Sequence, residues 1–358
     1  MSTTARSLPL LTTSSSRAYR ACNRLYYFST ELGYRPAYED PAMAFGTLGH
    51  LGLEAWWRAR GASPDEPAAW LAAGLAEVGK WDVDEFTRAA HRTLMYGYDA
   101  QWAEAPLVPL AVEHEYTLPL INPATGAASR TWQAAGKIDV IVRNVETGEV
   151  FVLDHKYTSS DFSPGSDYRS QLTLDSQVSN YLAAVRRMGL EPAGWIHDCI
   201  QRPGQRPLKA VAEVKYTQGR KSKKTGEWLE APRIAGGQRL ADETPEEYGA
   251  RIAEKMVAAP DAWFARIPVV RLADEEREAA FDLYQVGVQI RESRNANMWP
   301  RNPASCFAYN RACAFLPVCN GQASLEDGTR YRRATRAHEE LGSGVQSSDE
   351  NEGVEAAE

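Results

Sequence analysis

The chain has 358 residues, 44% of them hydrophobic, and a formal net charge of -7. That length allows one elaborated domain or two around a sizeable core, and no uninterrupted apolar run is long enough to span a bilayer, so a cytoplasmic protein without a membrane partner is expected. The negative balance argues against a nucleic-acid partner only until it is located: Glu339, Glu340, Asp349, Glu350, Glu352, Glu355 and Glu358 follow Arg336 with no Lys or Arg among them, which leaves the body formally neutral.

The first 16 residues, rich in Ser and Thr, are expected to be flexible. Helices are predicted over about 42–60, 66–79 and 83–104, then strands over about 109–120, 131–144 and 150–156. The run from Gly136 through Lys137, Ile138 and Asp139 to Val142 is rich in β-branched residues, Glu146 to Glu149 turns the chain, and Val150 to Leu153 runs back to Asp154. The pair reads as a hairpin. Strand residues two apart share a face, so Asp154 and Lys156 project together while His155 points away and offers its backbone carbonyl. Asp139, Asp154 and that carbonyl are hard oxygen donors suited to Mg²⁺ or Mn²⁺.

A helix over about 168–188 carries Gln177 and Tyr181 one turn apart on one face. Because a helix intervenes, the next strand, about 193–202, is expected to return parallel to its predecessor. A strand over about 208–217 leads into a hairpin tip from Gln218 to Gly226 that holds Arg220, Lys221, Lys223 and Lys224. Such a run is by default a solvated turn; its alternative reading is a DNA-binding loop that neutralises phosphates without reading sequence. Helices over about 244–258 and 273–296 flank a strand over about 263–271. The expected fold is α/β, a mixed central sheet flanked by helices over residues 17–336, followed by an acidic disordered tail over 337–358.

Taken singly these residues have ordinary readings. Asp-x-Lys at a strand end is common, a histidine among apolar neighbours is usually a core residue, and Gln177 with Tyr181 alone would be a surface amide beside a buried ring. Their order gives direction: an aspartate on a glycine-led strand, a hairpin, Asp154-x-Lys156, then Gln177-x-x-x-Tyr181, with His50 and Glu54 one turn apart upstream.

That order resembles the PD-(D/E)xK nuclease superfamily and, more narrowly, its RecB-like exonuclease branch. The resemblance implies a restriction-endonuclease-like fold and metal-dependent hydrolysis of DNA in recombination, repair or phage DNA processing. It implies His50, Asp139, Asp154 and the His155 carbonyl as metal ligands, and Lys156 as the group that orients or deprotonates the attacking water. Gln177 and Tyr181 would position the strand. The family often carries a glutamate on the preceding strand, here Glu115, with Glu113 the alternative because a one-residue slip swaps faces. No Gly-x-x-x-x-Gly-Lys-Ser/Thr signature appears, so unwinding would need a helicase or strand-annealing partner. The competing readings are a non-catalytic DNA-binding iron–sulfur subunit of a larger complex and a restriction-type endonuclease.

Five cysteines are present. Cys22 stands alone near the start, whereas Cys306, Cys313 and Cys319 cluster near the end. One early and three late thiolates resemble the [4Fe–4S] staple of RecB-like nucleases, which joins the two ends of the chain. Zinc is the chemical alternative, although its ligand pairs are usually closely spaced, and four unrelated buried thiols are the other. Cys199, in the apolar run from Trp195 to Ile200, reads as a core residue.

Overall fold

The computed structural model describes residues 8–342 apart from 39, 212, 214, 232, 233, 235–238, 309 and 310. The chain opens with β1 (Leu10–Leu11), α1 (Thr13–Ala21), α2 (Asn23–Tyr26) and β2 (Tyr34–Pro36). Three helices follow, α3 (Pro41–Ala62), α4 (Pro67–Gly79) and α5 (Glu85–Trp102), and then β3 (Leu107–Ile121), β4 (Ala128–Asn144) and β5 (Val150–Thr158). Next come α6 (Asp167–Thr173), α7 (Ser176–Arg187), β6 (Pro192–Gln201), a small hairpin of β7 (Arg220–Lys221) and β8 (Trp228–Glu230), α8 (Pro245–Ala258), β9 (Phe264–Val269) and α9 (Ala273–Ala296). The end of the described chain holds β10 (Phe307–Ala308), β11 (Arg311–Ala312), α10 (Leu316–Cys319) and β12 (Tyr331–Arg333).

The central sheet is mixed, in the order β1-β4-β5-β6-β9, with β3 on the other edge of β4. β3, β4 and β5 form an antiparallel meander, β6 returns parallel to β5 after α6 and α7, and β9 closes the sheet antiparallel to β6. This is the expected restriction-endonuclease-like architecture. One face is covered by α3, α4, α5 and α8, where Leu53, Trp56, Trp57, Trp70 and Tyr98 pack on Val140, Val142 and Leu153. On the other, α7 lays Val178, Leu182 and Val185 against Ile138, Ile141, Val152 and Trp195. A strand buried on both faces must read as a continuous apolar run, which is how β4 reads over Ile138–Val142, Asp139 apart, and β5 over Val150–Leu153.

Four expectations are corrected. Residues 10–16 belong to the fold: β1 pairs with Gln133 and Ala134, on the same edge of β4 as β5 and beyond the stretch that β5 covers, and Thr12 caps α1 in a reciprocal box with Ser15. The Ser/Thr composition that suggested flexibility is what a helix start needs for its unpaired amides. The helix over 168–188 is two helices, broken at Leu174 and restarted by the Asp175 cap. Residues 208–217 supply no strand among the described residues beyond an isolated bridge of Tyr216 to Ile234, and β9 takes the place beside β6. Finally, Ala337–Gly342 packs on the body. His338 Nε2 lies 3.3 Å from the Leu10 carbonyl, and Leu341 is buried with Leu10 and Ala135. The acidic tail beyond 342 lies outside the described residues, as do residues 1–7.

Candidate active site

Val140 pairs with Leu153 at the end of the β4–β5 ladder, and one further step brings Asp139 level with Asp154. There the carboxylate replaces a backbone partner, and His155 N–H donates to Asp139 Oδ2 at 2.9 Å. Helix α3 crosses directly above β5. A Cβ on Gly49 would sit 2.3 Å from the Tyr157 ring, so only glycine lets the helix settle this low. His50, the next residue, then reaches Asp139 with Nδ1 3.4 Å from Oδ2. On β3, Glu113 adopts φ 51°, a left-handed conformation uncommon outside glycine. Its carboxylate completes a group with His50 and Asp139 in which one ligand atom of each lies within 4.8 Å of the others. Glu113 also pairs with Lys137. Glu115 is elsewhere, accepting the amide of Gly342, so Glu113 is the glutamate brought to the site.

Beside that group, Lys156 Nζ lies 2.6 Å from Asp154 Oδ2. Gln177 bridges the pair, its Nε2 donating to Asp154 Oδ1 at 3.3 Å and its Oε1 accepting from Lys156 at 3.4 Å. The Asp175 cap, which takes the Gln177 amide at 2.9 Å, sets where α7 begins and so where this bridge stands. Tyr181 is buried one turn later with its ring against Tyr116 and Trp195. Glu54, one turn after His50, pairs with Arg58 at 2.8 Å.

Behind the site lies a buried polar network. The His155 ring turns away from the cleft, and its Nδ1 lies 2.9 Å from Asp198 Oδ2. Asp198 also accepts from Tyr98 Oη at 2.6 Å and Arg266 Nε at 3.3 Å. His197 Nδ1 accepts the Trp195 indole N–H at 3.0 Å and lies 3.6 Å from Asp154 Oδ2. Sequence reasoning passed over Asp198 and His197, whose signal was a polar pair inside the apolar run of β6.

The two aspartates are driven apart. Burial and then the neighbouring Asp154 charge push Asp139 up; burial and then Asp139 push Glu113 up. Burial would raise Asp154 too, but Lys156 and His197 outweigh it and hold the group well below the carboxylate range. Lys156 is raised in turn, since Asp154 overcomes the burial that opposes its charge. Burial, then His155, lowers His50 to about 4, leaving a neutral imidazole. A neutral imidazole with two carboxylates that burden each other electrostatically is a donor set a divalent cation fits.

His50, Glu113, Asp139, Asp154, Lys156, Gln177 and Tyr181 line one cleft of about 1000 Å³, which also takes in Thr12–Ser15, Arg17, Arg35 and Ala337–Glu340. Arg220, Lys221, Lys223 and Lys224 are not among its lining residues. A separate cavity of about 200 Å³ is lined by Cys22, Cys306, Cys313 and Cys319 together, while Cys199 is buried in β6. Burial raises the Cys313 and Cys319 thiols. No three of the four sulfurs lie mutually within 4.8 Å, so the cavity does not by itself show a metal centre. Among the described residues no helix is long and apolar enough to cross a membrane.

Among curated proteins nothing matches the chain. A solved structure, the crystal structure of SSO0001, aligns over 77% of this chain and 86% of its own with 14% identity and a TM-score of 0.30, a likeness too distant to add to the assignment. The model of the PD-(D/E)XK nuclease superfamily, whose members use divalent metal ions, matches residues 11–320 and takes in every residue of the cleft from Thr12 to Tyr181. The chain belongs to the PD-(D/E)XK nuclease superfamily.

Proposed function

We propose that the chain is a Mg²⁺- or Mn²⁺-dependent deoxyribonuclease that digests DNA from an end. The observation that carries this reading is the juxtaposition, in one cleft, of His50, Glu113 and Asp139 with the Asp154–Lys156–Gln177 cluster. His50, Glu113 and Asp139 would hold the cation, with Asp154 and the His155 carbonyl adjoining. The ion supplies Lewis-acid polarisation of the scissile phosphate. Lys156, kept in its ammonium form by Asp154, orients the attacking water and offsets charge on the pentavalent transition state. Gln177 fixes both partners, and Tyr181 backs the wall along which the strand is placed.

Action at an end is supported by the RecB-like order of motifs. The same reading takes Cys22, Cys306, Cys313 and Cys319 as ligands of a [4Fe–4S] cluster. Four thiols line one cavity, the number of thiolates such a cluster needs. The protein would act in the cytoplasm as one nuclease domain in recombination, repair or phage DNA processing, with any unwinding supplied by a partner. End-labelled linear DNA and covalently closed circles, incubated with Mg²⁺ or Mn²⁺, test it: linear DNA is shortened and the circle survives. Cleavage of the circle at defined sequences would favour a restriction-type endonuclease, and binding without cleavage a DNA-binding subunit.

A further inference from the structure

The hairpin of β7 and β8 projects from the body with Arg220, Lys221, Lys223, Lys224, Trp228 and Leu229 all exposed. Its base is tied down: Leu208 N–H donates to Glu243 at 2.8 Å, and Arg239 pairs with Glu247 at the start of α8. The register places Lys221 opposite Trp228, so both lie on one face, and the Lys221 ammonium stands 4.5 Å from the Trp228 ring centroid. Arg220 lies opposite Glu230, with a register shift between the two pairs. Trp228 is 50% exposed, a costly place for an indole whose only described ring partner is a lysine.

An exposed tryptophan among lysines has the chemistry of a stacking platform for unpaired bases, because every base offers a π-face and every nucleotide a phosphate. A duplex hides those faces, so charge alone would serve it. We propose that this hairpin is a single-stranded DNA site in which Trp228 stacks on a base while Lys221, Lys223 and Lys224 neutralise the flanking phosphates. The inference rests on DNA being the substrate and adds that the enzyme engages an unpaired strand outside its catalytic cleft.

The test is equilibrium binding of the full-length protein to fluorescein-labelled oligo(dT), to an abasic strand of equal length, and to a blunt duplex, all in EDTA. Trp228→Ala should weaken oligo(dT) binding about five- to a hundredfold and leave the abasic strand and the duplex unchanged, whereas Trp228→Phe retains most of the affinity. Joint neutralisation of Lys221, Lys223 and Lys224 should instead weaken all three ligands and lower the salt slope by roughly 0.7 to 0.9 for each phosphate no longer neutralised. Unchanged oligo(dT) binding by Trp228→Ala, or equal losses on oligo(dT) and the abasic strand, overturns the proposal. No turnover is needed, so a chain that cuts nothing yet shows this difference would remove only the nuclease reading.

Discussion

Lys156 and Asp154, two residues apart on β5, form an ion pair at 2.6 Å, and both bond to the same amide, that of Gln177. The ammonium is thereby fixed on the same side of the strand as the carboxylate, where a scissile phosphate must lie if Asp139 and Asp154 share it. Removing either group should therefore stop chemistry without preventing binding. Lys156→Ala and Asp154→Asn are expected to lower the cleavage rate by about 10² to 10⁴, with DNA affinity in EDTA nearly unchanged. Near-normal turnover in either folded variant would contradict the assignment.

Glu113 and Glu115 make a paired control. Glu113→Gln removes a donor from the group with His50 and Asp139, whereas Glu115→Gln touches only the bond to Gly342. Because even an outer partner of a metal ligand is worth about 10- to 100-fold in affinity, Glu113→Gln should weaken Mn²⁺ binding at least tenfold in calorimetry. Glu115→Gln should bind Mn²⁺ as the parent does. The reverse pattern would move the site.

His91 predicts a pH dependence of stability. Its ring stacks on Phe45 with centroids 3.9 Å apart, Nε2 has no hydrogen-bond partner, and burial lowers its pKa from 6.5 to about 3. The unfolded chain thus binds a proton near pH 6.5 that the folded chain refuses. The stability tied to neutral His91 is fully present above that value and falls as pH drops toward 3, by about 1.4 kcal/mol per unit at most. Denaturant midpoints measured between pH 7 and pH 5 should decline less steeply in His91→Phe than in the parent; equal slopes would exclude the histidine as the cause.

For the cysteine cavity, protein purified without oxygen should contain iron and labile sulfide. Cys22→Ser should lose both and become less stable, since a cluster there would join segments remote in sequence. Cys199→Ser should keep its iron. Zinc in place of iron, or full iron in Cys22→Ser, would refute a four-cysteine cluster and leave the nuclease reading intact.

The parts of this molecule legible in sequence are those governed by local pattern. The β4–β5 hairpin announces itself through β-branched runs around a Glu-Thr-Gly-Glu turn, and the helix before β6 dictates the parallel return. What stayed hidden depends on tertiary choices. Whether Glu113 or Glu115 faces inward was settled by one left-handed residue, which no periodicity encodes. Asp198 is tolerable inside β6 only because Tyr98, His155 and Arg266, from three other elements, converge on it. Ser/Thr-rich residues 12–16 read as disorder because caps and flexible tails use the same side chains.

The most direct test of the central claim is release of nucleotides from end-labelled single and double strands by the parent chain and Asp139→Asn, side by side, in Mg²⁺, Mn²⁺ and EDTA. The account predicts metal-dependent release by the parent, none in EDTA, and a loss of at least a hundredfold in Asp139→Asn. Release that persists in EDTA, or that Asp139→Asn carries out at the parental rate, would contradict it.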